Sequence, residues 1–375
     1  MKLYALDFET YFDEEFSLRK MTTEEYIRDP RFEIHGAAVV GDPSTGAQEL
    51  REWMTPKQLK EQCEHWRNTS ASGGESIALV AHHAHFDGLI LNMYLDYRPD
   101  VWLDTLSMGR VVFGSGLRLG LEHLANYFQL TPKNVPYSLF KGKHWSQIPS
   151  HDQNQIAQGS LHDAELTLQC VQYMLNGGHP AIKYCFPPAE IPVVDLTVRM
   201  FTEPSLVGDL DMLGAAWLAE RRMTEEAIEH TEMAGRYRDY DEALKALRID
   251  IDFARALRSL GIDVDNEGRK ITSAGNEKYA FAKSDYFMQD LLEHPNDDVV
   301  FLAQARLKAH SSIYTTRTER FGFMSTRGPL PIYLAYAAAH TRRWGGGDKQ
   351  NAQNFPRPDP YRPHKGALRR AIKAP

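Results

Sequence analysis

The sequence predicts an α/β (α+β) domain over residues 1–190, followed by a mainly helical region. Three observations carry that expectation. Short apolar runs with turn or polar flanks, at residues 3–9, 33–40 (EIHGAAVV) and 76–81, read as strands. Amphipathic stretches near 56–67, 87–97, 105–113, 120–129 and 155–175 are interspersed with them. Prolines clustered at Pro187, Pro188 and Pro192 end helices and stiffen the chain, which sets a boundary near residue 190.

Beyond that boundary the periodicity is helical, near 193–220, 223–235, 239–260, 277–293, 297–309 and 311–320. From Thr341 onward, Gly345, Gly346 and Gly347 and the prolines after them read as loop. The glycine run lacks the spacing and the Lys-Ser/Thr of a phosphate loop, so it carries no nucleotide-binding weight.

The 42% hydrophobic and 25% charged composition of the 375 residues is that of a soluble globular protein. No apolar run approaches the roughly 20 residues of a membrane helix. Asp7 and Glu9 interrupt the N-terminus where a signal peptide would be apolar, so a cytoplasmic location without a membrane partner is expected. Cys63, Cys170 and Cys185 form no CxxC pair and read as small core residues in a reducing compartment. The net charge of −7 hides an asymmetry. Residues 299–375 hold 14 Lys and Arg against 3 Asp and Glu, leaving 29 against 47 in residues 1–298. An acidic front repels nucleic acid unless its carboxylates hold cations, whereas a basic back suits a phosphate-binding surface.

The chemistry-bearing residues are carboxylates. In Asp7-Phe8-Glu9 the alternation of a strand puts both acids on one face, where they need protons or metal ions between them. Asp87 closes the run His82-His83-Ala84-His85-Phe86-Asp87 directly after the strand IALVA, near the expected start of a helix whose free N–H groups favour an anion. Those histidines lack further ligands at zinc spacing, so zinc is disfavoured. Asp163, in LHDAELTLQC, sits on a helix with Thr167 on the same face.

DFET at 7–10, HxxFD at 83–87 and HDAELT at 162–167 resemble, in order and spacing, the three exonuclease motifs of the DEDD superfamily. The resemblance is closest to the proofreading modules of bacterial and phage family A DNA polymerases, which also carry a segment like WLDT at 102–105. It implies a ribonuclease H-like 3′–5′ exonuclease domain in which Asp7, Glu9, Asp87 and Asp163 are catalytic and hold two Mg²⁺ (or Mn²⁺) ions. Asp7 would bridge both ions, Glu9 and Asp163 would bind the water-activating one, and Asp87 would help to hold the other. Phe86 would pack below the site. Two positions depart from the family. His83 replaces an Asn and is expected to keep a hydrogen bond near the DNA. The Tyr four residues before the third-motif Asp, or the His five before, is replaced by Gly159 or Gln158, neither of which can orient water. His162 and Tyr137 are the side chains that could approach from elsewhere.

A second resemblance covers the back half. Residues 305–320 look like the thumb of family A polymerases, with Arg306, Lys308, Ser311, Ser312 and Arg317 suited to phosphate contacts. The run from Ala339 to Arg357 resembles the family's H-T-G-R-W-S…N-x-Q-N-x-P-R, and LRRAIKAP its L-R-x-x-I-x-A-P. By this resemblance Arg343, Gln353 and Asn354 lie close to primer or template, while Arg342 stands where the family has Gly. It implies a helical thumb over 191–325 and the beginning of a palm over 326–375. The first palm Asp of the family falls about a dozen residues after the A-P, past Pro375, so primer extension by this chain alone is not expected. DNA primer-template and a single-stranded 3′ end are the expected partners, along with a separate polymerase fragment. The alternatives are a DNA-binding polymerase fragment with a weakened or dead exonuclease site and, less favoured, an RNA-trimming nuclease.

Overall fold

The computed structural model describes residues 1–375 except Gly74, Ser115, Ser312, Asp359, Tyr361, Arg362 and Pro375, and the side chain of Ala234. The chain forms two compact units. One is built mainly from Met1–Val207 with Arg327–Phe355, the other from Gly208–Thr326 with Pro356–Lys373.

The first unit is organised by a five-stranded mixed sheet in the order β3-β2-β1-β4-β5. Its strands are β1 (Lys2–Thr10), β2 (Ile34–Gly41), β3 (Arg51–Met54), β4 (Ile77–Ala81) and β5 (Val101–Asp104). β1 pairs antiparallel with β2, placing Asp7 opposite Ala38 and Glu9 opposite Gly36, and pairs parallel with β4. The sheet is therefore flanked on both faces, as its apolar alternation requires. On one face Tyr4, Leu6 and Phe8 pack with Leu59, Cys63 and Trp66 of α2 (Pro56–Ala71) and with α3 (His85–Leu95). On the other, Leu3 and Ala5 pack with α4 (Thr105–Phe113), α5 (Leu121–Tyr127) and α6 (Ser150–Asn176). Asp7 and Glu9 share the odd-numbered face of β1, so strand periodicity aims them at the α6 side.

The short helix α1 (Thr23–Arg28) starts with a capping box in which Thr22 and Glu25 satisfy each other's backbone N–H groups. Gly36, opposite Glu9, is needed for packing: a Cβ there would stand 2.3 Å from the Trp53 ring. Cys63 and Cys170 are buried core residues and Cys185 is exposed.

Sequence periodicity found β1, β2, β4 and helices α2 to α6, but missed β3 and β5, each only four residues long. The first compact unit runs past the boundary expected at residue 190, to Val207. Helix α7 (Ile191–Thr202) buries Val194, Val198 and Phe201 within it, and the Asp195 carboxylate accepts the Trp102 N–H of β5 at 2.7 Å. Residues 327–355 group with the first unit and 356–373 with the second.

The second unit is helical, with α8 (Leu210–Glu229), α9 (Met233–Arg236), α10 (Tyr240–Arg248), α11 (Asp250–Ser259), α12 (Tyr286–Leu292), α13 (Asp297–His310), α14 (Ile313–Arg327) and α15 (Ala367–Ala371). The expected helix 193–220 breaks at 203–209, where Glu203 closes α7 and Pro204 follows. The helix expected over 239–260 divides at Ile249, an extended residue between α10 and α11. Residues 277–279, expected as helix, pair antiparallel with 269–271 as a hairpin.

Arg306, expected on a phosphate-binding surface, is instead 3% exposed in the helical core. Its guanidinium donates to the Leu247 carbonyl, pairs with Asp250 and lies 5.0 Å from the Phe253 ring centroid. Facing α10 and α11, it satisfies the Leu247 carbonyl near the end of α10, a role that periodicity does not reveal. Arg306→Met is expected to lower stability by about 1–3 kcal/mol in urea unfolding, because it leaves the buried Leu247 carbonyl without its donor. Phe201→Ala, which opens a cavity beneath α7, is expected to lose about 3–5 kcal/mol in the same measurement.

Candidate active site

The three acidic motifs converge. β1 carries Asp7 and Glu9, α3 carries Asp87 in its first turn, and α6 carries Asp163 in its middle. The Phe8 N–H, pointing out of the end of β1, donates to Asp87 Oδ1 at 3.1 Å, so the second motif is fastened directly to the first. Ser160, one turn before Asp163 on α6, donates its hydroxyl to Asp7 Oδ2 at 2.8 Å. Asp163 is fully buried; its Oδ2 pairs with the Lys133 ammonium and its Oδ1 has no hydrogen-bond partner. Glu9 and Asp87 are 6% and 5% exposed.

Burial and mutual repulsion set the protonation of this nest. Burial raises the Asp7 carboxyl to about 6, Lys133 opposing the shift and Asp163 adding to it. Burial and the Asp7 charge hold Glu9 well above the usual carboxylate range, and the same two causes raise Asp87. Asp163 is raised by burial against the pull of Lys133. Burial works against the Lys133 charge, but Asp163 and Asp7 outweigh it and hold the ammonium above its ordinary range.

Buried, oxygen-only, mutually repelling and with one oxygen left bare, these residues suit a hard divalent cation. Among the described residues no three His, Cys, Asp or Glu side chains stand in a ready-made ligating arrangement. A cation would therefore have to draw the four acids inward.

The layer behind the acids is built from residues that motif reading only partly identified. Asp104, the acid of WLDT, caps α4 through the Leu106 and Ser107 N–H groups and accepts the His83 and Ala84 N–H groups. It thereby shapes the turn that leads into Asp87. The three histidines differ in partners. His82 Nδ1 lies 2.9 Å from the Thr105 hydroxyl, while His83 and His85 share Tyr333: His83 Nε2 lies 2.8 Å from its hydroxyl and the His85 ring packs tilted against its ring with centroids 4.6 Å apart. Burial keeps all three neutral, holding His82 at about 4 and His85 at about 3. The ring expected near DNA on His83 is half-buried and partnered by Tyr333. Phe86 packs against the core beside Tyr26.

Lys133 and Ser160 were missed in the sequence. Ser160 was findable, three residues before Asp163 on one helix face; Lys133 lies in an irregular loop without a local signal. Gly159 is buried against Val135 and Pro136, Gln158 is exposed, and the His162 Nε2 faces the Pro132 carbonyl at 3.1 Å.

In the second unit, Lys308 donates to the Met223 carbonyl and Ser311 is exposed after the last turn of α13. Ser312 lies outside the described residues, and Arg317 is half-buried on α14. The thumb-like segment spans the end of α13 and the start of α14, matching the two helical stretches expected near 297–309 and 311–320. In the first unit Arg343, Gln353 and Asn354 are exposed. Arg342 has φ +59°, the left-handed conformation that glycine, expected there from the resemblance, would take without strain.

No family model and no curated protein matches the sequence. Among solved structures the chain is similar to the POL domain of Pol1 from M. smegmatis in complex with DNA primer-template and dNTP, with 15% identity and a TM-score of 0.52. The match covers 98% of this chain and 54% of that one, so the chain spans about half the length of the polymerase domain. At that identity the likeness is one of fold: a mixed α/β architecture shared with a DNA polymerase structure.

Proposed function

We propose that the chain is a DNA polymerase-related protein whose first unit is a metal-dependent 3′–5′ exonuclease hydrolysing DNA phosphodiesters. One observation carries this reading: four carboxylates from three separate elements, three of them buried and Asp7 half-buried, act on one another's charge, an arrangement that a cation held among them would stabilise. Asp7, Glu9, Asp87 and Asp163 would hold Mg²⁺ or Mn²⁺, which supplies Lewis acidity toward a phosphate and its attacking water. Ser160 orients Asp7, and the Phe8 N–H orients Asp87. Lys308, Ser311, Arg317, Arg343, Gln353 and Asn354 are the proposed DNA contacts, supported by their placement at or near the surface and by the basic balance of residues 299–375. The pairing of Lys133 with Asp163 favours one second reading, a DNA-binding chain whose nuclease site is silent.

With Mg²⁺ and single-stranded DNA, the chain is expected to shorten labelled strands from the 3′ end. Asp7→Ala is expected to lose more than the roughly 10–100-fold typical of changes behind a metal. Equal rates in the two proteins would sink the nuclease assignment; DNA retention without shortening by either would favour the silent one.

A second expectation concerns stability. Asp7 is protonated in both folded and unfolded chains below its ordinary 3.8, and folding must bury its charge as pH rises through about 6. Its contribution therefore falls as pH rises from 3.8 to about 6, by about 3 kcal/mol. In EDTA the Tm of wild type should drop relative to Asp7→Asn between those pH values. Added Mg²⁺ should raise the wild-type Tm at pH 7.5 and barely move it at pH 4.5.

A further inference from the structure

Residues 132–140 cross α6 beside the carboxylates and carry Lys133 to them. The strap is anchored by its own core, with Val135 and Phe140 buried together with Ile148 and Ile156. His162, on α6, faces the Pro132 carbonyl at 3.1 Å, and the Lys133 ammonium lies 5.3 Å from the Tyr137 ring centroid as it pairs with Asp163.

The strap lies so close to α6 because residue 159 is glycine. A Cβ at 159 would stand 2.9 Å from the Val135 Cα and 3.2 Å from Pro136 Cδ, closer than side chains tolerate against backbone. A tyrosine at 159 is incompatible with the strap in this position. Gly159 and Lys133 therefore go together: the small residue admits the strap that carries the lysine to Asp163.

We propose that Lys133 is a built-in cation of this site, taking the charge-balancing place of one divalent ion, so that the four carboxylates bind a single Mg²⁺ or Mn²⁺. This deepens the nuclease reading and rests on it, since the resemblance implies two ions. The electrostatics are simple. Lys133 already neutralises one charge at Asp163 and acts on Asp7 as well. A second dication would have to enter beside a fixed ammonium. Asp163 keeps only Oδ1 without a partner, which leaves it one oxygen for one ion.

The test counts ions on the full chain without DNA, by titrating Mn²⁺ and following the free ion by electron paramagnetic resonance. Ions lost in Asp7→Ala define those bound at this nest. Wild type and Lys133→Arg are expected to bind one such ion, and Lys133→Met two. Gly159→Ala, which pushes the strap off α6, is expected to shift toward the Lys133→Met count. Thermal melts check that each variant is folded, and the Met and Arg variants decide the matter if Gly159→Ala is not. Two ions in wild type, or equal counts in wild type and Lys133→Met, overturn the role of Lys133 while leaving a metal site in place. No binding by any of them, Lys133→Met included, overturns the metal reading itself.

Discussion

Repulsion among Asp7, Glu9, Asp87 and Asp163 is the constraint that the first unit is arranged to withstand. The acids stand on three kinds of support. Asp7 and Glu9 ride the end of β1 that runs on beyond its pairing with β4 and is laddered to β2, Asp87 is tied to the backbone of that strand, and Asp163 is embedded in the long helix α6. The repulsion is borne through protonation, through Ser160 and through Lys133, all within reach of the same cluster.

The support extends backward through residues that touch no acid. Asp104 gathers four backbone N–H groups at the turn after β4 and the start of α4, and this sets the entry of α3. Tyr333, from the segment that rejoins the first unit, packs on His83 and His85 beneath that turn. The left-handed φ of +70° at His83 belongs to the same arrangement: the chain must turn sharply so that Asp87 reaches Phe8. Strain there is small compared with the cost of misplacing one carboxylate.

Much of this was legible in the sequence, for physical reasons. Long apolar runs and helical periodicity reveal β1, β2, β4 and α6 because burial on a regular element leaves a regular pattern. The acids stood out because like charges at strand spacing are conspicuous. The four-residue strands β3 and β5 are too short to show a period, and the division of α10 from α11 depends on what Arg306 satisfies far along the chain. Lys133 was invisible because its position is dictated by Gly159, a residue that acts only by being small. Arg342, which stands where the resemblance has Gly, takes the left-handed φ that arginine adopts reluctantly.

The way the polypeptide shuttles between its two units has a consequence for biosynthesis. The amide of Gln350, fully buried, receives the Tyr333 N–H, and both residues complete a unit whose sheet was translated some 250 residues earlier. On the ribosome, the sheet and its helices would emerge and wait, with the surface reserved for Tyr333 and Gln350 uncovered, while the whole of Gly208–Thr326 is made. The intervening helical unit must fold during that interval without capturing the open surface, or the nascent chain needs a chaperone to shield it. Assembly is thus an ordered process in which the oldest part of the chain is the last to be finished.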